Sequence, residues 1–199
     1  MENKHLIIKL FFYCFSLEEV RKFKLQNNIN NNLNQFNDYN QFINFAQFND
    51  FNNNIVDIID CFDYDRKINV MSGQNAKYCD YCRQTCNASM CTTLTTGPRI
   101  LILLLNREKG NQFDVKINYT EYLDLNNYIQ FNVGCKYQLI GVISHIMENG
   151  KDENFITYCR DPLSNKWYKY NNALISSVMD FQNEVINYSI PYLLFYQML

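Results

Sequence analysis

The chain has 199 residues, 47% of them hydrophobic and 16% aromatic, which is enough length and apolar content for one domain with a substantial core. Its 18 basic and 20 acidic side chains leave a net charge of -2, so there is no basic footprint for nucleic acid or an anionic membrane surface. The longest purely apolar run, Ile100 to Leu105, is far below the ~20 residues that span a bilayer.

At the start, Leu6 to Phe15 is an apolar strand candidate rather than a signal peptide, because Lys9 interrupts it and Glu18-Glu19 stand where small cleavage-site residues belong. Ser16-Leu17-Glu18-Glu19 has the form of a capping box, which predicts a short helix from Leu17 to about Phe23. From Asn27 to Asn54 asparagine dominates, and aromatics recur every third position at Phe36, Tyr39, Phe42, Phe45, Phe48 and Phe51. That period fits neither a strand nor a helical stripe, and Gln35-Phe36-Asn37-Asp38 recurs as Gln47-Phe48-Asn49-Asp50, the mark of repeat expansion. Residues 1–54 are therefore set apart as a divergent, Asn-rich N-terminal region from the portion over 55–199. It opens with helical spacing at Ile55, Ile58, Ile59 and Phe62.

Cys79-Asp80-Tyr81-Cys82 follows. Two thiolates at this spacing supply half of a tetrahedral zinc site, and the other two ligands must come from elsewhere. A local set of Cys79, Cys82, Cys86 and Cys91 lacks a common knuckle spacing, and independent free thiols are the simpler reading. A thioredoxin-like dithiol would need a strand before it and a helix after it, and neither is evident. Eight cysteines in 199 residues, one pair of them spaced Cys-x-x-Cys and no secretory signal, point to a reducing compartment inside the cell, cytoplasm or nucleus.

Thr95-Thr96-Gly97-Pro98-Arg99 is a turn feeding Ile100 to Leu105, a strand expected at the centre of a sheet and covered on both faces. The last third reads as an antiparallel meander. Tyr137 to His145 is one strand, Glu148 to Glu153 a polar loop, Asn154 to Cys159 a second strand ending at Asp161-Pro162, and Trp167 to Tyr170 a third. Pro191 to Gln197 is the last strand.

These segments resemble the closing part of the ubiquitin-specific protease family, the papain-like deubiquitinases. In that family a strand like Tyr137 to His145 precedes a loop, then Gly-His-Tyr, then a Trp-Tyr-x-Phe strand ending in Asp or Asn. Leu105-Asn106-Arg107-Glu108 is similar to its Leu-Lys-Arg-Phe, and Pro191-Tyr192-Leu193-Leu194-Phe195-Tyr196 to its Ala-Tyr-x-Leu-Phe-Tyr. The resemblance implies an α+β, papain-like fold with a mostly antiparallel palm sheet, partial fingers, and no thumb carrying a Cys box. It also implies a function, hydrolysis of the bond after ubiquitin's C-terminal glycine, with ubiquitin or a ubiquitinated protein as partner.

Laid on this chain, the motif places Asn154 at the family's catalytic His and Asn171 at the last triad position. The Gly-Asn-Thr-Cys-Tyr nucleophile box is absent from these 199 residues. The family's upstream zinc pair aligns with Leu25 and Asn28, so zinc is not expected and no other cofactor is implied. Two surrogates are conceivable: Cys14 as nucleophile, although its aromatic neighbours make it read as a core thiol, and His145 as base, if the hairpin brings it opposite Asn154. The expectation is a catalytically inactive, ubiquitin-binding pseudo-deubiquitinase. The alternatives are the C-terminal part of an active thiol hydrolase whose N-terminal half lies outside this sequence, and a structural remnant that binds nothing.

Overall fold

A computed structural model describes residues 10–32, 55–107, 115–131, 134–148 and 151–199. In chain order these form β1 (Leu10–Ser16), α1 (Leu17–Asn32), β2 (Ile55–Asp57), α2 (Ile58–Asp65), β3 (Asn69–Met71), β4 (Lys77–Cys79), β5 (Gln84–Cys86), β6 (Ala88–Met90) and β7 (Ile100–Asn106). Then come β8 (Lys116–Asn118), β9 (Tyr122–Asp124), β10 (Lys136–Glu148), β11 (Lys151–Arg160), β12 (Trp167–Asn171), β13 (Leu174–Ser177) and β14 (Ile190–Met198).

The main sheet runs β1-β7-β14-β10-β11-β12-β13, with β9 also paired to β10. Only β1 and β7 pair in parallel; the other ladders of this sheet are antiparallel. As its sequence predicts, β7 is an inner strand, with Leu101, Ile102, Leu103 and Leu105 buried. One apolar cluster joins this sheet to α1 and α2, where Phe15 meets Phe62 edge to face at 5.2 Å. Two small antiparallel pairs, β3 with β6 and β4 with β5, carry mostly exposed side chains.

Several expectations change in the structure. The first strand spans Leu10–Ser16, and residues 1–9 lie outside the described residues. Helix α1 continues to Asn32 instead of ending near Phe23. Asparagine is a weak helix former, but here docking decides. Leu17 and Val20 are buried, Phe23 packs edge-on against Tyr64 at 5.6 Å, and Lys24 Nζ reaches Asp57 at 2.9 Å and Asp60 at 2.7 Å. Local pairs of Glu18 with Arg21 and Gln26 with Asn30 add to it. The rest of the Asn-rich stretch, 33–54, lies outside the described residues. The helical spacing from Ile55 is realised only from Ile58, because Ile55–Asp57 pairs in parallel with β8. Asp60 Oδ2 then accepts the Asp57 N–H at 2.8 Å and closes the helix start.

The loop expected over 148–153 is also shorter. The β10–β11 ladder runs past a bulge at Ile146/Met147 to Met147↔Asp152 and Glu148↔Lys151, leaving 149–150 outside the described residues.

The Lys24 cluster makes folding stability depend on pH at both extremes. Burial alone would raise the Asp57 pKa, but hydrogen bonds from Lys24 and Asn118 outweigh it and hold the carboxyl below its ordinary value. Burial likewise works to lower the Lys24 pKa, and the bonds to Asp60 and Asp57 reverse it. The Asp57 contribution is therefore complete above about pH 4 and is lost as pH falls through the depressed folded value. The Lys24 contribution is complete below about pH 10 and is lost as pH rises through the raised one. Denaturation midpoints measured against pH are expected to lose part of both flanks in Lys24→Met, by no more than about 1 kcal/mol because the group is partly exposed. Identical profiles would contradict the assignment.

Gly97 is required by close approach. A Cβ there would lie 2.6 Å from Tyr137 Oη, 2.8 Å from Met198 Cε and 3.0 Å from Cys135 Sγ. Tyr137 is fully buried and its hydroxyl donates to Pro98 O at 3.0 Å, so it has no room to yield. Gly97→Ala is expected to cost about 1–3 kcal/mol in urea unfolding, the usual penalty of overpacking, and an unchanged midpoint would contradict this packing.

Candidate functional site

The site to which the sequence points lies where β11 runs between β10 and β12. On one side the ladder pairs Ser144↔Ile156, His145↔Phe155 and Ile146↔Asn154. On the far side of β10, Ser144↔Pro191 and His145↔Ile190 follow a bulge at Ile143/Ser144. Ser144 is fully buried, and its hydroxyl accepts the Ile190 N–H at 2.8 Å and faces His145 O at 3.3 Å. A bulge breaks the regular ladder, and this hydroxyl supplies a partner for the amide beside it.

Arg107 holds the same end from behind. It is 1% exposed, its Nε donates to Pro191 O at 3.1 Å, and a terminal nitrogen donates to Val115 O at 2.6 Å. Burial lowers its pKa to about 10, which still leaves it charged at neutral pH. One guanidinium thus ties the start of β14 to the segment entering β8.

His145 does not stand opposite Asn154. The register pairs it with Phe155 instead, one residue out of step, and a one-residue step reverses the face of a strand. Its ring is buried and meets Phe155 edge to face at 5.4 Å, and Phe155 meets Tyr192 in the same way at 5.6 Å. His145 belongs to that aromatic cluster. The other histidine, His5, lies outside the described residues.

Position 171 does fall near position 154. Thr157↔Tyr170 carried one step places Asn171 beside Ile156, and 154 shares the alternation phase of Ile156. Asn171 is half-buried at the end of β12, opposite Leu174, and Asn172 turns the chain with φ 52°. Both positions carry amides.

At the other end of β12, Trp167 stacks on Phe181 at 4.6 Å; elsewhere the buried Tyr119 hydroxyl donates to Val185 O at 2.6 Å with Ser189 Oγ 3.0 Å away. Burial pushes the phenols of Tyr119, Tyr158 and Tyr196 upward, so all remain neutral at physiological pH. They offer no base.

Cys14 is exposed, not a core thiol, since alternation along β1 buries Phe15 and turns its neighbour outward. Strands β7, β14 and β10 separate β1 from β11, so Cys14 is roughly 19 Å from the site at ~4.8 Å per strand. Cys79 and Cys82 bracket the β4–β5 turn, with Cys82 Sγ 3.5 Å from Cys86 Sγ. Leu25 and Asn28 lie inside α1 and bring no zinc ligand. Among the described residues no group of three or more His, Cys, Asp or Glu side chains is arranged to hold a metal ion.

Sequence reasoning did not assign Arg107 or Ser144 a role. The first could have been suspected as a cation closing an apolar run; the second carries no local signal.

A family model described as "Ubiquitin carboxyl-terminal hydrolase" matches residues 17–196. The mouse protein "Ubiquitin carboxyl-terminal hydrolase 17-like protein D" is 32% identical over 116 residues, covering 56% of this chain and 21% of its own length. Two human proteins, "Ubiquitin carboxyl-terminal hydrolase 17" and "Inactive ubiquitin carboxyl-terminal hydrolase 17-like protein 4", are each 33% identical over 132 residues, 61% of this chain and 25% of theirs. The chain thus spans a quarter or less of the length of these relatives. Among solved structures, "Structure of the SAGA Ubp8/Sgf11/Sus1/Sgf73 DUB module bound to ubiquitin aldehyde" matches with a TM-score of 0.58 and 25% identity, over 73% of this chain and 35% of that one. Motifs, sheet order and family model agree: the chain belongs to the ubiquitin carboxyl-terminal hydrolase family.

Proposed function

We propose that this chain is a ubiquitin-recognising member of its family that does not cleave ubiquitin. The observation that carries the reading is Asn154 at the family's general-base position, with His145, the one histidine among the described residues, turned to the opposite face against Phe155. An asparagine amide has no nitrogen that accepts a proton, so it cannot activate a thiol. A related human protein bears the name inactive, which is in keeping with this reading.

Support for ubiquitin recognition comes from the shared portion of the fold. The Ubp8 module was solved with ubiquitin aldehyde and with monoubiquitin, and the matched part covers 73% of this chain. Ile68 and Val70, beside and on β3, are exposed by 70% and 68%, apolar side chains open to an interacting surface. Titration of the 199-residue chain into labelled ubiquitin, followed by heteronuclear NMR, is expected to give saturable shifts that Val70→Asp weakens. Absence of shifts at near-millimolar concentration would instead favour the structural remnant.

The short span of the chain against its relatives favours a second reading, a part of a longer enzyme. A nucleophile supplied from elsewhere would still meet an amide at position 154.

A further inference from the structure

The β4–β5 hairpin holds a thiol arrangement that the family reading leaves unused. Cys79 ends β4, Cys82 lies in the turn, and Cys86 ends β5, where it pairs with Lys77. The turn is tight: Arg83 takes φ 56° and its N–H donates to Cys79 O at 2.7 Å. This geometry folds Cys82 back over β5 until its sulfur is 3.5 Å from that of Cys86. A disulfide needs about 2.05 Å, a closing movement of roughly 1.5 Å that exposed side chains achieve by small χ changes. Cys82 is exposed, Cys86 is part-exposed, and neighbouring Tyr81 is 98% exposed, so a tripeptide oxidant has free access.

We propose that Cys82 and Cys86 are an oxidisable pair that closes into a disulfide across this hairpin, with glutathione disulfide as the oxidant. The Cys86 thiolate attacks one sulfur of glutathione disulfide, forming the mixed disulfide and releasing one glutathione thiolate. Cys82 then gives its proton to water and attacks the Cys86 sulfur, releasing the second. Two protein thiols are oxidised and one glutathione disulfide is reduced to two glutathione molecules. Cys82, with its sulfur 3.5 Å from Cys86 Sγ, is placed to resolve the mixed disulfide. The Cys82 thiol and the N–H groups of Cys82 and Tyr81 also hydrogen-bond Cys79. Cys82 is therefore shared, and closing onto Cys86 removes it from Cys79. The dithiol at 79/82 and the disulfide at 82/86 are mutually exclusive states of one turn. A bond closing so short a loop on an exposed hairpin is readily reduced again, as a reversible modification requires.

The test is to reduce the full 199-residue chain, remove the reductant, equilibrate with glutathione disulfide, and block remaining thiols with N-ethylmaleimide for intact-mass and peptide mapping. The expected result is two protected thiols joined as Cys82–Cys86, with protection lost in Cys86→Ser and kept in Cys79→Ser and Cys91→Ser. Three results would overturn the proposal: no protected pair, a wild-type bond mapped to Cys79–Cys82, or wild-type protection surviving in Cys86→Ser. All three substitutions lie on or beside an exposed hairpin, and unchanged circular dichroism would exclude unfolding as their cause.

Discussion

Ubiquitin carrying a fluorogenic C-terminal amide is expected to be hydrolysed by this chain no faster than by buffer, and Asn154→His is expected to leave that rate unchanged. In a Cys-His-Asp/Asn unit the imidazole makes the thiolate and the last member orients the imidazole. On the reading proposed above, Asn154 stands at the first of those positions and Asn171 at the second. Asn171 could still orient an imidazole, so Asn154→His rebuilds a base and its partner. It does not supply a nucleophile, since Cys14 is several strands away and the chain has no Gly-Asn-Thr-Cys-Tyr box. An unactivated thiol of pKa ~8.5 is only a few per cent ionised at neutral pH. Loss of such groups typically costs ~10⁴ to 10⁶ in turnover, enough to bring a family enzyme to background. Turnover by the wild-type chain that an alkylating agent abolishes would mean that another cysteine and another base had been assembled.

Arg107→Met is expected to lower stability by about 2–4 kcal/mol, read as a fall in urea midpoint at constant slope. Methionine keeps much of the length and removes the charge, so the loss reports the carbonyls of Pro191 and Val115, each left buried with one donor fewer. Relief of the buried charge works in the other direction, as its lowered pKa indicates, and keeps the total below the full cost of two orphaned acceptors. The same substitution is expected to loosen β14 where Ile190 and Pro191 pair with β10, so amide exchange should accelerate most at Ile190 and His145. A change under ~0.5 kcal/mol would show that the guanidinium merely fills space.

How much of this was legible depended on whether a segment's structure is set locally. The run Ile100 to Leu105, the meander from Tyr137 to Asn171 and the last strand carry enough apolar and turn residues to declare themselves, and the structure has them as β7, β10–β12 and β14. Helix α1 beyond Phe23 did not, because its amides give little propensity and its length depends on α2 packing through Tyr64, Asp57 and Asp60. The face of Cys14 was misread because aromatic neighbours suggest a core, whereas burial in a strand alternates. The position of His145 could not be read, since one residue of register decides its face and a bulge lies beside it at Ile146/Met147. The assignments of 154 and 171, by contrast, come from the motif alone.

The most direct test of the central claim is an electrophilic ubiquitin probe, with its C-terminal glycine replaced by a thiol-reactive group, mixed with the chain while binding is followed by NMR. The account predicts saturable, reversible shifts and no covalent adduct. A covalent adduct mapped to any cysteine of this chain would contradict it, because a thiol would then have been brought to ubiquitin's C-terminus and activated without the histidine that position 154 lacks.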